Sequence, residues 1–313
     1  MKSRRLRFIV GLLLLAVLIA VGMHRIVFSR LGALLHASPY GIVALATVYL
    51  ATRMFNGEIL RLSARSLDVE ISQSEGFLIM MVMSYTNLFI PRAGLGAPAL
   101  YLKHRYNLKF TEFTSFLLPM TVMQLACFGI VGVAAQLAIL RLHALPVHTG
   151  LAVFFCCLTA ANAAILFVPL KALTSLRGRV FDLLGRFSSA WETLRRDRAM
   201  IARIVLIQLI VIFLRALRLQ LAYFSIGRSV SFPGALIVSI MAQLGMFVSL
   251  TPGAFGFREA AMIYGSCLIG DSAGTGAAVA LLDRAVITAC VVVAGQSALW
   301  FGLKGRESGT GPA

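Results

Sequence analysis

From Phe113 to Leu140 the chain runs 28 residues without a charged side chain. As a helix rising 1.5 Å per residue, that stretch is about 42 Å long, more than the roughly 30 Å hydrocarbon core of a bilayer. Backbone in lipid must satisfy its own hydrogen bonds, so a run of this kind is helical. Pro119 is a candidate kink near its start. Hydrophobic residues make up 59% of the chain and charged residues 13%, against about 45–50% and about 25% in a soluble domain. That excess cannot all hide in one water-soluble core. A cytosolic enzyme, a secreted disulfide scaffold and a disordered tail are excluded. An all-α polytopic membrane protein is expected.

The remaining apolar runs differ in length. Phe8–Met23 follows the basic MKSRRLR and has no small-x-small cleavage site after it, so it reads as a retained first helix. Tyr40–Leu62 is a second, carrying Arg53 and Glu58. Gly76–Ile90 is apolar for only 15 residues, about 22 Å, and stops at the Pro91–Pro98 stretch PRAGLGAP. Lys103, His104, Arg105 and Lys109 follow it. A half-helix that enters from the cytoplasm, breaks at Pro91 and returns fits this pattern. Thr149–Leu170 and Ile204–Ile226 are further spans, the latter with Arg215 and Arg218 inside it. Pro233–Leu250 breaks at Thr251–Gly256 and a short run to Gly270 follows. Gly274–Leu303 is the last span, with Asp283 and Arg284 in it.

About six full transmembrane helices plus two broken re-entrant hairpins result. Two interrupted segments at corresponding places in two halves mark an inverted-repeat arrangement. The halves are residues 1–140 and 149–303 of one integral membrane domain, with a short cytoplasmic tail at 304–313. The net charge of +17, from 29 Lys+Arg against 12 Asp+Glu, would suggest nucleic acid in a soluble protein. Here basic cytoplasmic loops facing anionic lipid explain it, and no nucleic-acid partner is expected. Eight of these cations lie in Lys171–Arg203, which reads as an interfacial amphipathic segment. Both termini are expected in the cytoplasm.

Charges inside a membrane are costly and face cavities or partners. Asn87, Arg92, Arg258 and Glu259 sit at or beside a helix break. Freed N–H groups at a half-helix start favour an anion, and a guanidinium fork matches phosphate. Alternatively, Arg258 and Glu259 pair with each other, or with Asp283 and Arg284, only to hold the hairpin. Arg53, Arg215 and Arg218 either line a polar groove or snorkel to an interface. Lys103, Arg105 and Lys109 fit anionic lipid surface. No GxSxG, P-loop, paired carboxylates or His/Asp cluster is present. No enzyme activity, cofactor or metal is expected. Cys127, Cys156, Cys157, Cys267 and Cys290 lie in apolar runs and read as small core hydrophobes, and His143 and His148 are too few for a metal site.

Two stretches carry a resemblance. Asn87-Leu88-Phe89-Ile90-Pro91-Arg92-Ala93-Gly94 resembles the N-x-x-x-P-R-x-G signature of the flippase-like family, the lysylphosphatidylglycerol synthase transmembrane region. Pro252-Gly253-Ala254-Phe255-Gly256-Phe257-Arg258-Glu259 resembles its P-G-G-x-G-x-R-E signature. Leu95 stands where that family has Glu, and the uncharged Met120–Gln124 where it has a Glu-Arg…Asp pattern. The resemblance implies an integral membrane protein that moves or binds lipid headgroups. With the charges above, the expectation is an inner-membrane flippase or transporter of anionic phospholipid or lipid-linked headgroups, its binding residues Asn87, Arg92, Arg258 and Glu259 with Arg53, Arg215 and Arg218. It implies a stand-alone member without the soluble synthase domain. A non-transporting partner of a lipid- or glycan-modifying enzyme is the other reading, docking through the 171–203 loop. Self-association is open.

Overall fold

A computed structural model describes residues 38–67, 69–89, 96–108, 110–143, 148–167, 191–192, 194–195, 197–248 and 251–298. The described chain is helical: α1 Pro39–Arg65, α2 Gln73–Phe89, α3 Gly96–Tyr106, α4 Phe110–His143, α5 Thr149–Phe167, α6 Arg198–Ser225, α7 Phe232–Val248, α8 Phe257–Leu268 and α9 Ala273–Ser297. A 3-10 turn at Pro252–Ala254 lies between α7 and α8. Among the described residues, four stretches, Leu117–Arg141, Thr149–Leu166, Arg198–Ser225 and Ala273–Ser297, are long and apolar enough to cross a membrane. The expected first span at Phe8–Met23, the break at Pro91 with Arg92, most of the basic loop and the tail lie outside the described residues.

Local chemistry sets the helix starts. Pro39 opens α1, where its missing N–H removes nothing. The Asp197 side chain accepts from the Met200 N–H (2.9 Å) and starts α6. The helix therefore begins six residues before the expected Ile204, and Arg198 and Arg203 ride on its first two turns rather than in an interfacial loop. Ser272 caps α9 through the Thr275 N–H (3.1 Å). Helix α4 continues through Pro119.

Two short pairs stand out from the long helices. At 17 and 12 residues, α7 and α8 are about 25 and 18 Å long, each less than a bilayer core. They run antiparallel. A Cβ on Gly245 would lie 2.8 Å from the Phe257 carbonyl oxygen near the turn, and one on Gly265 would lie 3.2 Å from the Val238 Cα further out. Helices α2 and α3 form the other pair, at 17 and 11 residues. Buried Glu75, on the first turn of α2, accepts from Tyr101 Oη (2.6 Å) and Tyr106 Oη (3.0 Å) of α3. Arg105 lies 3.4 Å from the same carboxylate, so this cation braces the pair as well as facing outward. Helix α1 packs against α2: a Cβ on Gly57 would meet the Phe77 backbone nitrogen at 2.7 Å.

The apolar core runs through the bundle, with Leu45, Leu219, Tyr223, Val238, Met262 and Val279 buried together. Cys127 is buried as expected, but Cys156, Cys157 and Cys267 are exposed. An apolar run in a membrane protein has a lipid-facing side, so burial among protein atoms does not follow from hydrophobicity there.

Candidate functional site

The turn between α7 and α8 is built from residues in the left-handed region: Gly253 (φ 58°), Ala254 (φ 59°) and Gly256 (φ 86°). Glycine adopts such angles without a Cβ penalty, which lets the chain reverse here in few residues. Thr251 Oγ1 donates to the Phe255 carbonyl (2.6 Å) across the turn. Glu259 Oε2 then accepts from the Gly256 N–H (2.7 Å), so the helix caps itself from its own first turn. The turn lies against the end of α2: a Cβ on Gly253 would be 3.7 Å from the Asn87 carbonyl oxygen. Asn87 and the second break, 166 residues apart in sequence, are thus neighbours in space.

Two crossed ion pairs lock this turn to the middle of α9. Asp283 is fully buried and accepts from Arg258 Nη2. Its other oxygen lies 2.9 Å from Arg218 Nε, an ion pair not aligned as a hydrogen bond. Glu259 Oε1 accepts from Arg284 Nε (2.8 Å) and lies 2.7 Å from Arg284 Nη2. Arg284 Nη1 donates to the Gly253 carbonyl (2.8 Å), and its guanidinium stacks 4.4 Å from the Phe255 ring centre. Arg258 and Glu259 are adjacent in sequence, yet each finds its main partner on α9; Arg258 Nη1 is 4.0 Å from Glu259 Oε1.

Cations on α1 and α6 extend the cluster. Arg53 Nε donates to Tyr49 Oη (3.0 Å) one turn earlier. The Arg53 and Arg218 guanidiniums lie 5.1 and 5.6 Å from the Tyr49 ring centre, so one aromatic face system serves both. Arg215 is within electrostatic reach of Arg53, Arg218 and Arg258. Its Nη1 is buried and makes no hydrogen bond. Five guanidiniums therefore gather around two carboxylates where the start of α8 meets α1, α6 and α9. The other acids with described contacts are placed elsewhere. Glu58 pairs with Arg61, Glu75 braces α3, Asp197 caps α6, and Asp271 accepts from the Ser272 N–H.

The structure thus brings Asn87, Arg258, Glu259, Arg53, Arg215 and Arg218 into one region; Arg92 lies outside the described residues. Arg258, Glu259 and Arg218 are held in ion pairs and Arg53 donates to Tyr49, while Arg215 Nη1 and Arg258 Nη1 make no hydrogen bond among the described residues. Tyr49 was not legible as a site residue: in sequence it is one more aromatic in an apolar run, and only its four-residue spacing from Arg53 hints at the contact. Chemically the cluster presents forked donors and uncompensated positive charge, which suit an oxyanion. Where the uncharged Met120–Gln124 stretch lies, Met120 and Met123 are buried and Gln208 Nε2 donates to the Met120 carbonyl (3.3 Å).

A family described as "Lysylphosphatidylglycerol synthase TM region" matches residues 8–295. No curated protein and no solved structure matches the chain.

Proposed function

Since the chain belongs to the lysylphosphatidylglycerol synthase TM region family, we propose that it carries anionic lipid headgroups across the membrane. The headgroup passes beside the α7–α8 turn while its tails stay in lipid. One observation carries the reading: Arg215 holds a buried donor without a partner among five guanidiniums and two carboxylates. Uncompensated charge in the interior of a membrane protein is costly, and an anionic headgroup is the counter-charge that a bilayer supplies. On this reading Arg215 and Arg53 bind phosphate. Arg218 and Arg258, held by Asp283, shape the positive wall, and Asn87 contributes from the end of α2.

The finer architecture follows from the same premise. The pairs α2–α3 and α7–α8 are re-entrant hairpins that enter from opposite sides, related as inverted repeats, with about six full spans around them and both termini in the cytoplasm of an inner membrane. The chain acts as a carrier and not as an enzyme, because both carboxylates at the site are spent on guanidiniums and neither is free to move a proton.

The test is a proteoliposome assay. Acyl-chain-labelled phosphatidic acid and phosphatidylcholine are placed in both leaflets, and dithionite bleaches the outer one. The protein should make the inner-leaflet phosphatidic acid bleachable, faster than phosphatidylcholine, and Arg215→Gln should slow it. If phosphatidic acid crosses no faster than in protein-free liposomes, the carrier reading is wrong.

A further inference from the structure

The charge balance of the cluster says more than that its ligand is an anion, and the following rests on the carrier reading above. Arg218, Arg258 and Arg284 pair with Asp283 and Glu259, and Arg53 and Arg215 lie beside them without an acid of their own, a surplus of three positive charges among the described residues. The surplus lies deep. Asp283 is the eleventh residue of α9, and Arg215 lies ten residues before the end of α6, each about 15 Å from its helix end. Glu58, Glu75, Asp197 and Asp271 are engaged elsewhere, so none of these four offsets the surplus.

We propose that the headgroup ends in a phosphate with at least two negative charges: a phosphomonoester or diphosphate lipid rather than a phosphodiester lipid. A phosphodiester brings a single charge and leaves most of the surplus buried. A terminal phosphate brings about −1.5 to −2 at neutral pH and three free oxygens. Three oxygens accept forks from more than one guanidinium at once, and Arg215 and Arg53 approach from different helices, α6 and α1. The shared chemistry is the terminal phosphate, which a glycerolipid or an isoprenoid can both carry.

Calorimetric titration of the full-length protein in neutral detergent tests this. The probes are dioctanoyl phosphatidic acid, farnesyl phosphate, farnesyl diphosphate, dioctanoyl phosphatidylglycerol and inorganic pyrophosphate. The terminal phosphates should bind about tenfold or more tightly than phosphatidylglycerol, as the loss of one close charge pair implies. Arg215→Gln should narrow that gap and Arg215→Lys should largely keep it, which separates charge from a folding defect. The tighter of phosphatidic acid and farnesyl phosphate names the tail. Equal binding of phosphatidic acid and phosphatidylglycerol overturns the charge class and leaves the carrier reading standing. Binding of no anionic lipid overturns both. Pyrophosphate binding as tightly as farnesyl diphosphate would make the ligand a soluble anion and end the lipid assignment.

Discussion

Asp283, fully buried, and Arg215, half-buried with only its Nη1 enclosed, are opposite cases of a charge inside the bundle. Asp283 contacts two guanidiniums, so Asp283→Asn strands both Arg218 and Arg258. Removing one member of a buried ion network costs about 3–5 kcal/mol, and the variant should unfold at markedly lower temperature in detergent. Among the described residues Arg215 has no acid partner, and its Nη1 makes no hydrogen bond. Arg215→Gln takes away a half-buried charge that meets no acid among the described residues, so its melting temperature should equal or exceed that of the parent while phosphatidic acid movement falls. A substantially lower melting temperature for Arg215→Gln would mean that Arg215 braces the fold instead of serving a ligand. The sequence put both residues in apolar runs and marked them as costly. It could not tell the paired from the unpaired, because the partners of Asp283 come from α6 and α8, 65 and 25 residues away.

The short helices owe their geometry to glycines at close approaches. Gly76 of α2 sits where a Cβ would be 2.7 Å from the Gly57 carbonyl oxygen of α1. Backbone cannot swing aside as a side chain can, so Gly76→Ala should push α2 off α1 and cost about 1–3 kcal/mol, as overpacking does. Gly96, with nothing within 4 Å of a Cβ, is the control: Gly96→Ala should leave thermal stability unchanged or raise it. Equal losses at the two positions would show that helix propensity, not the α1–α2 contact, governs this pair. The interruption at residues 251–256 was legible, because Pro and Gly break a helix whatever surrounds them. That α8 is capped by Glu259 from its own first turn was not, since the same Glu in sequence reads as a salt-bridge partner for Arg258.

Orientation belongs to the whole molecule, since each crossing inverts the next. A reporter active only outside the cytoplasm, fused at Ala313, should stay silent, while the same reporter inserted within Leu142–His148 should give a signal. A strong signal at Ala313 would overturn the count of crossings, and with it the opposed entry of the two hairpins. The positive charge of the chain does two separate jobs in this picture. Exposed cations such as Lys103 and Arg198 sit at helix ends, where anionic lipid can meet them. Arg218 and Arg258 are buried. Composition counts both kinds alike, so the net charge of +17 spoke to the first and concealed the second.

The amino-acid sequence alone determined that this chain is helical and membrane-embedded, and where the second half breaks. Those properties depend on local quantities: the length of an uncharged run against the bilayer thickness, and the backbone limits of Pro252, Gly253 and Gly256. It also singled out Arg53, Arg215, Arg218, Arg258 and Glu259, because a charge within an apolar run is conspicuous without any structure. Tertiary structure alone decided what those charges do. It crossed Arg258 to Asp283 and Glu259 to Arg284, set both Arg53 and Arg218 against the Tyr49 ring, placed Asn87 beside Gly253, and left Arg215 without an acid among the described residues. Coulomb energy depends on separation in space, and here the deciding separations join residues of α1, α2, α6, α8 and α9 that only packing brings within reach.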